Sequence, residues 1–232
     1  MNSPLTPGAP AAGHAHDHDH DHDHDHDGPH APITVEGQPS FYEIMEIAVR
    51  ELLIQRGMFT EAEIYRQIDV LDSRTPALGA AVVARAWVDP GFKARLLADG
   101  RAACEELGIS FYDDTGLIVL ENTAEVHNLI VCTLCSCYPR PVLGLPPDWY
   151  KLKPYRARAV SEPRAVLAEF GTILPKHVEV RVSDSTSMAR YLVLPRRPEG
   201  TERFSEADLA ALVTRDAMIG VIPVAAPAGS AA

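Results

Sequence analysis

Val131-Cys132-Thr133-Leu134-Cys135-Ser136-Cys137-Tyr138-Pro139 is the stretch on which the reading of this chain turns. Three thiols in the spacing C-x-x-C-x-C can converge on one centre, because a tight turn brings both sides of the loop around it. Thiolates select soft or borderline metals. With only Ser136 between Cys135 and Cys137, the intervening backbone nitrogens lie close enough to the same centre to serve as ligands. Three sulfurs and two amide nitrogens would leave one coordination position open. The residues alone leave a zinc site equally open, with His127 or His177 as fourth ligand and no catalysis. A disulfide is disfavoured, since such near neighbours bridge only with strained geometry.

Outward from this loop the hydrophobic period decides the elements. Leu129-Ile130-Val131 runs straight into the cysteines, and Leu117-Ile118-Val119-Leu120 precedes it; short apolar runs bracketed by polar turns predict buried strands. Val178 to Val182 and Arg190 to Leu194 predict two more, separated by the turn residues Asp184-Ser185-Thr186-Ser187. A helix is expected between Ser205 and Val213. Upstream of Gly108 the period is helical. Ser40 with Glu43, and Thr60 with Glu63, form capping-box pairs ahead of apolar residues at helical spacing, and Gly57 and Pro76 mark the stops. A third helix is expected from Leu78 to Val88, and a broken fourth from the cap Asp89 with Pro90 to Leu107. Cys104, within it, reads as a small buried hydrophobe. The fold class is α+β: a tail over 1–40, a helical arm over 41–110, a layered α/β metal-binding domain over 111–223, and a C-terminal tail over 224–232.

Composition bounds the function. The chain has 232 residues and a formal net charge of -11, yet Asp17, Asp19, Asp21, Asp23, Asp25 and Asp27 come from one N-terminal run, His16 to Asp27, in which histidine alternates with aspartate just after His14. That run has no apolar content and is expected to be disordered and solubilising, with weak affinity for divalent metals. No basic stripe with interleaved aromatics is present, so nucleic acid is not an expected partner. No apolar run is long enough for a membrane span, and no basic-then-apolar leader opens the chain, so a cytoplasmic protein is expected. In a reducing compartment, clustered cysteines favour metal or redox chemistry over disulfides.

The wider text resembles the nitrile hydratase α-subunit family. After the cysteine loop come Pro141-Val142-Leu143-Gly144-Leu145-Pro146-Pro147 and Trp149-Tyr150-Lys151, then Tyr155-Arg156-Ala157-Arg158, Asp184-Ser185, Arg190-Tyr191 and Thr214-Arg215-Asp216. The resemblance covers roughly 41–222. It implies that Cys132 is an axial thiolate, that Cys135 and Cys137 are oxidised to sulfinic and sulfenic acid, and that the backbone nitrogens of Ser136 and Cys137 are ligands. Thr133 and Tyr138 are the residues that go with one non-corrin cobalt(III) per subunit rather than iron. Cys135, Ser136 and Cys137 would then form the catalytic loop. The resemblance also implies a β subunit, single or split, that supplies arginines to the oxidised cysteines, and an activator that delivers cobalt.

Two positions depart from the family pattern. Arg140 stands where the cobalt enzymes carry Trp, and Met188 where they carry an acid. Tyr138-Pro139-Arg140-Pro141 resembles the γ subunit of thiocyanate hydrolase, a sister group with the same cysteine loop. Arg140 is therefore expected either at the mouth of the substrate pocket or in a salt bridge to a partner. Thr133, Arg158 and Asp184 are expected to support the ligands from behind.

Overall fold

The computed structural model describes residues 39–112, 114–134 and 137–225, so most of both expected tails lies outside the described residues. Both capping boxes form. The Ser40 hydroxyl accepts from the Glu43 amide at 3.3 Å while the Glu43 carboxylate takes the Ser40 amide at 2.6 Å, opening helix α1, Phe41–Gln55. Thr60 and Glu63 repeat the exchange at 3.2 and 2.7 Å, opening α2, Glu61–Asp72. Neither helix buries a single residue.

The chain divides after Met58, and the division expected near residue 110 is corrected by the packing that follows. Helix α3, Pro76–Val88, buries Ala80, Val82, Val83, Ala84 and Ala86. Helices α4, Pro90–Ala98, and α5, Gly100–Glu106, add Phe92, Leu96, Ala103 and Cys104 to the core that also holds the strands. These helices belong to the body. Periodicity showed that each has an apolar face, but a face does not name the surface that covers it. The break between α4 and α5 sits at Asp99, whose extended backbone leaves the helix and whose carboxylate caps Ala102 at 3.0 Å.

Four strands pair in parallel twos. Strand β1, Gly116–Glu121, lies beside β4, Ala189–Leu194, and β2, Val126–Val131, lies beside β3, Glu179–Asp184. Register places Val131 opposite Asp184. Leu129, Ile130 and Val131 are wholly buried, each contributing about 1.5–3 kcal/mol, so β2 is fixed at the end that leads into the cysteines.

Between β2 and β3 run four short helices that the apolar pattern does not disclose: α6, Arg140–Leu143; α7, Asp148–Lys151; α8, Lys153–Ser161; and α9, Pro163–Glu169. Helix α8 is the instructive case. Only Tyr155 and Ala159 of its nine residues are buried, too narrow a stripe to stand out among its lysine and arginines. Helix α10, Glu206–Leu212, falls in the expected segment with a further capping box from Ser205 and Asp208. The last helix, α11, Arg215–Ile219, is capped by Thr214 and ends at Gly220.

Candidate metal centre

The cysteine loop leaves the buried end of β2. Cys132 is fully buried and Cys137 half-buried; Cys135 and Ser136, expected as ligands and catalytic groups, lie outside the described residues. What surrounds the loop is well defined. Asp184, at the end of β3, grips Thr133 twice, accepting its amide at 2.9 Å and its hydroxyl at 2.5 Å. The next residue, Ser185, donates its amide to the Val131 carbonyl at 2.8 Å, so β3 secures both sides of Cys132. The structure thus brings Thr133 and Asp184, both proposed as supports of the loop, into direct contact.

From the other side the loop is held by side-chain donors of α7 and α8. Tyr155 donates its hydroxyl to the Ile130 carbonyl at 2.7 Å, Arg156 donates Nη2 to the Thr133 carbonyl at 2.9 Å, and Tyr150 donates to the Cys137 carbonyl at 3.0 Å. Burial pushes the phenols of Tyr138, Tyr150 and Tyr155 far above their ordinary range, and negative charge on Cys132 and Cys137 pushes Tyr150 further the same way. These phenols remain neutral, and Tyr150 and Tyr155 act as the donors. The tyrosines are themselves wedged edge to face, with Trp149 4.9 Å from Tyr155 and 4.8 Å from Phe170, and Tyr138 5.0 Å from Tyr150.

Gly144 ends α6 against the backbone at Arg74 and Thr75. Its φ is +67°, and a Cβ there would come within 2.3 Å of the Arg74 carbonyl, so the turn and the close approach both need glycine.

The donor set fits a thiophilic ion. The carbonyl oxygens of Ile130, Thr133 and Cys137 are already hydrogen-bonded, so sulfur is what this loop offers from Cys132 and Cys137. The histidines considered as zinc ligands stand elsewhere. His127 is buried with Nε2 2.7 Å from the Gly220 carbonyl, and at strand rise it is about 16 Å from Cys132. His177 is exposed ahead of β3, at the same remote end. Cys104 is also apart, and burial pushes its thiol up to about 12, so it stays a protonated core residue as expected.

Two arginines differ from expectation in placement. Arg158, expected behind the ligands, has its guanidinium in contact with Glu162 at 2.7 Å and Glu169 at 2.5 Å. Arg156 takes the place at the loop. The two lie about 200° apart around α8, flanking the Tyr155–Ala159 stripe on opposite sides, and periodicity gives them equal standing. Only the packed partner of that stripe distinguishes them. Arg140 begins α6, three residues beyond Cys137; it is exposed and has no ion-pair partner among the described residues.

A family model described as nitrile hydratase, alpha chain, matches residues 40–222. A nitrile hydratase subunit alpha from Rhodococcus sp is 55% identical over 183 residues, covering 78% of this chain and 92% of that protein. A low-molecular weight cobalt-containing nitrile hydratase subunit alpha from Rhodococcus rhodochrous is 54% identical over 175 residues, covering 75% and 84%. Among solved structures, a mutant thiocyanate hydrolase superposes with a TM-score of 0.76 at 42% identity, over 83% of this chain and 94% of that one.

Proposed function

The chain belongs to the nitrile hydratase alpha-chain family, and from that membership we propose that it is the metal-holding subunit of a cobalt nitrile hydratase, hydrating a nitrile to its amide. The observation that carries the reading is the loop from Cys132 to Cys137, entered by a buried thiol and braced through Thr133 by Asp184 and Arg156. Cys132, Cys135 and Cys137 and the backbone nitrogens of Ser136 and Cys137 would hold the ion, with Cys135 oxidised to sulfinic and Cys137 to sulfenic acid. One low-spin, non-corrin cobalt(III) held there would supply a Lewis acid that polarises a nitrile at carbon.

The chain's own residues set the stage for that chemistry. Tyr150 holds its proton on the Cys137 carbonyl and so fixes the backbone of the residue that would carry the sulfenate; either that oxygen or an activated water would serve as the nucleophile. Tyr155, held edge to face by Trp149, which also packs on Phe170, keeps its hydroxyl on the Ile130 carbonyl just ahead of the loop. Ser136 carries a hydroxyl suited to thiolate or sulfinate oxygens, whereas Thr133 spends its proton on Asp184 and supports the loop through that contact. A β subunit would bring arginines to the oxidised sulfurs, and an activator would load cobalt. No described helix is long and apolar enough to cross a membrane, and the thiol chemistry suits the reducing cytoplasm, where we place the protein.

Arg140 favours a second reading, a thiocyanate-hydrolysing γ-type subunit. It is an exposed cation without an ion-pair partner among the described residues, just past Cys137, and would suit an anionic or hydrogen-bonding substrate.

One preparation tests both. The chain is co-produced with its partner chains, its metal is measured, the peptide containing Cys135 and Cys137 is weighed, and kcat/KM is taken for thiocyanate, a heteroaromatic nitrile and a small aliphatic nitrile. The expected result is cobalt, oxygen additions on that peptide and preference for a nitrile. Zinc with unmodified thiols would remove the catalytic reading, and preference for thiocyanate would establish the second. Arg140→Trp should lose polar or anionic substrates by about 1.5–3 kcal/mol while keeping simple nitriles and full cobalt. Equal losses on all three substrates would make Arg140 a subunit contact.

A further inference from the structure

Helix α8 does more at the cysteine loop than pack beneath it. Its consecutive residues Tyr155 and Arg156 deliver donors to carbonyls three residues apart, Ile130 and Thr133, on either side of Cys132. The phenol reaches the chain just before the buried thiol and the guanidinium just after it. At the preceding peptide, Asp184 takes the amide of Thr133, and it takes the Thr133 hydroxyl as well. The Thr133 residue is therefore clamped at its nitrogen, its oxygen and its side chain by an acid from β3 and a base from α8.

Arg156 is the unusual member of this clamp. It is half-buried, and its Nε is a buried donor with no hydrogen-bond partner among the described residues. A surface arginine kept only for solubility would not leave a donor dry. No carboxylate lies within ion-pair distance of it among the described residues, so its positive charge is spent on the loop carbonyl. A guanidinium is suited to this because it cannot lose its proton and holds its donors in a fixed plane.

We propose that Arg156 is a positioning residue for the metal loop: through the Thr133 carbonyl it fixes the backbone that follows Cys132, and with it the direction of that buried thiol. The inference rests on the functional reading above. Removing the guanidinium frees the Thr133 carbonyl, and the backbone beside Cys132 then samples geometries that do not present its thiolate to the ion. Arg158, two residues on, holds Glu162 and Glu169 and lacks this role.

The test uses the cobalt-loaded complex of the full chain with its partners, in the parent, Arg156→Ala and Arg156→Lys. Three quantities are read: cobalt per chain, the sulfur-to-cobalt charge-transfer absorption, and the rate at which a chelator removes cobalt. Arg156→Ala is expected to release cobalt roughly 10- to 100-fold faster with a shifted absorption, as outer residues that orient ligands generally do. Arg156→Lys, which keeps the charge and one donor but not the plane, is expected between the two. A purely structural arginine would lower the unfolding temperature and leave absorption and release unchanged, which overturns the proposal. If Arg156→Ala does not fold, Arg156→Lys decides alone, and parent-like absorption and release there overturn it. A parent complex without cobalt overturns the functional reading and this inference with it, whereas a cobalt-bearing parent and indifferent variants overturn this inference only.

Discussion

His127 is held towards its neutral form by its place in the fold. Burial disfavours its imidazolium more than the Gly220 carbonyl supports it, so its pKa lies below the ordinary 6.5. With Nε2 donating to that carbonyl, Nδ1 is left to accept from Asn122 Nδ2 at 3.5 Å. The depressed value makes a signed prediction. Above about 6.5 both folded and unfolded chains hold the ring neutral, and His127 adds no pH dependence. Below that value the unfolded chain takes up a proton that the folded chain refuses, so stability falls as pH falls until the folded pKa is reached. His127→Gln, which keeps an amide donor for Gly220, should flatten this part of the profile. Urea unfolding of parent and variant at about pH 7.5 and pH 5.5 measures it. Equal losses of stability in the two proteins would remove His127 as the source.

At the scale of elements, the terminus of α11 is what joins the last helix to β2. Gly220 has φ +93°, and a Cβ there would lie 2.1 Å from the Asn128 carbonyl, so both the left-handed turn and the approach to the strand need glycine. Its carbonyl is also the acceptor for His127. Gly220→Ala is expected to cost about 3 kcal/mol or more, from backbone strain plus displacement of β2. For a chain of this size that is roughly 6–12 °C in unfolding temperature, read by circular dichroism. A shift of about 1 °C would mean that the strand yields freely, and that the β2 end carrying Cys132 is less rigid than its burial indicates.

Across the whole molecule, charge and stability are held in different places. The alternating His-Asp run from His16 to Asp27 supplies six aspartates to a net charge of -11 and no apolar side chain, while the core is built from α3 onward. Deleting residues 1–30 should therefore leave the activity of the cobalt-loaded complex unchanged, with kcat/KM as the measure; a loss at full cobalt content would place the tail in the working structure. What the sequence determined by itself was whatever rests on local chemistry: the helix starts at Ser40, Thr60 and Asp89, the runs that became β1 to β4, and the C-x-x-C-x-C spacing that proposes a metal loop. Caps and short apolar runs act over a few residues, so they can be read without the fold. Tertiary structure decided the rest. It joined α3 to α5 to the body, gave Tyr150 and Tyr155 their carbonyls, and chose Arg156 over Arg158 at the loop. Those choices depend on which surface covers the Tyr155–Ala159 stripe, and a helix carries no record of that in its own period, because the covering residues come from β2, more than twenty positions earlier in the chain.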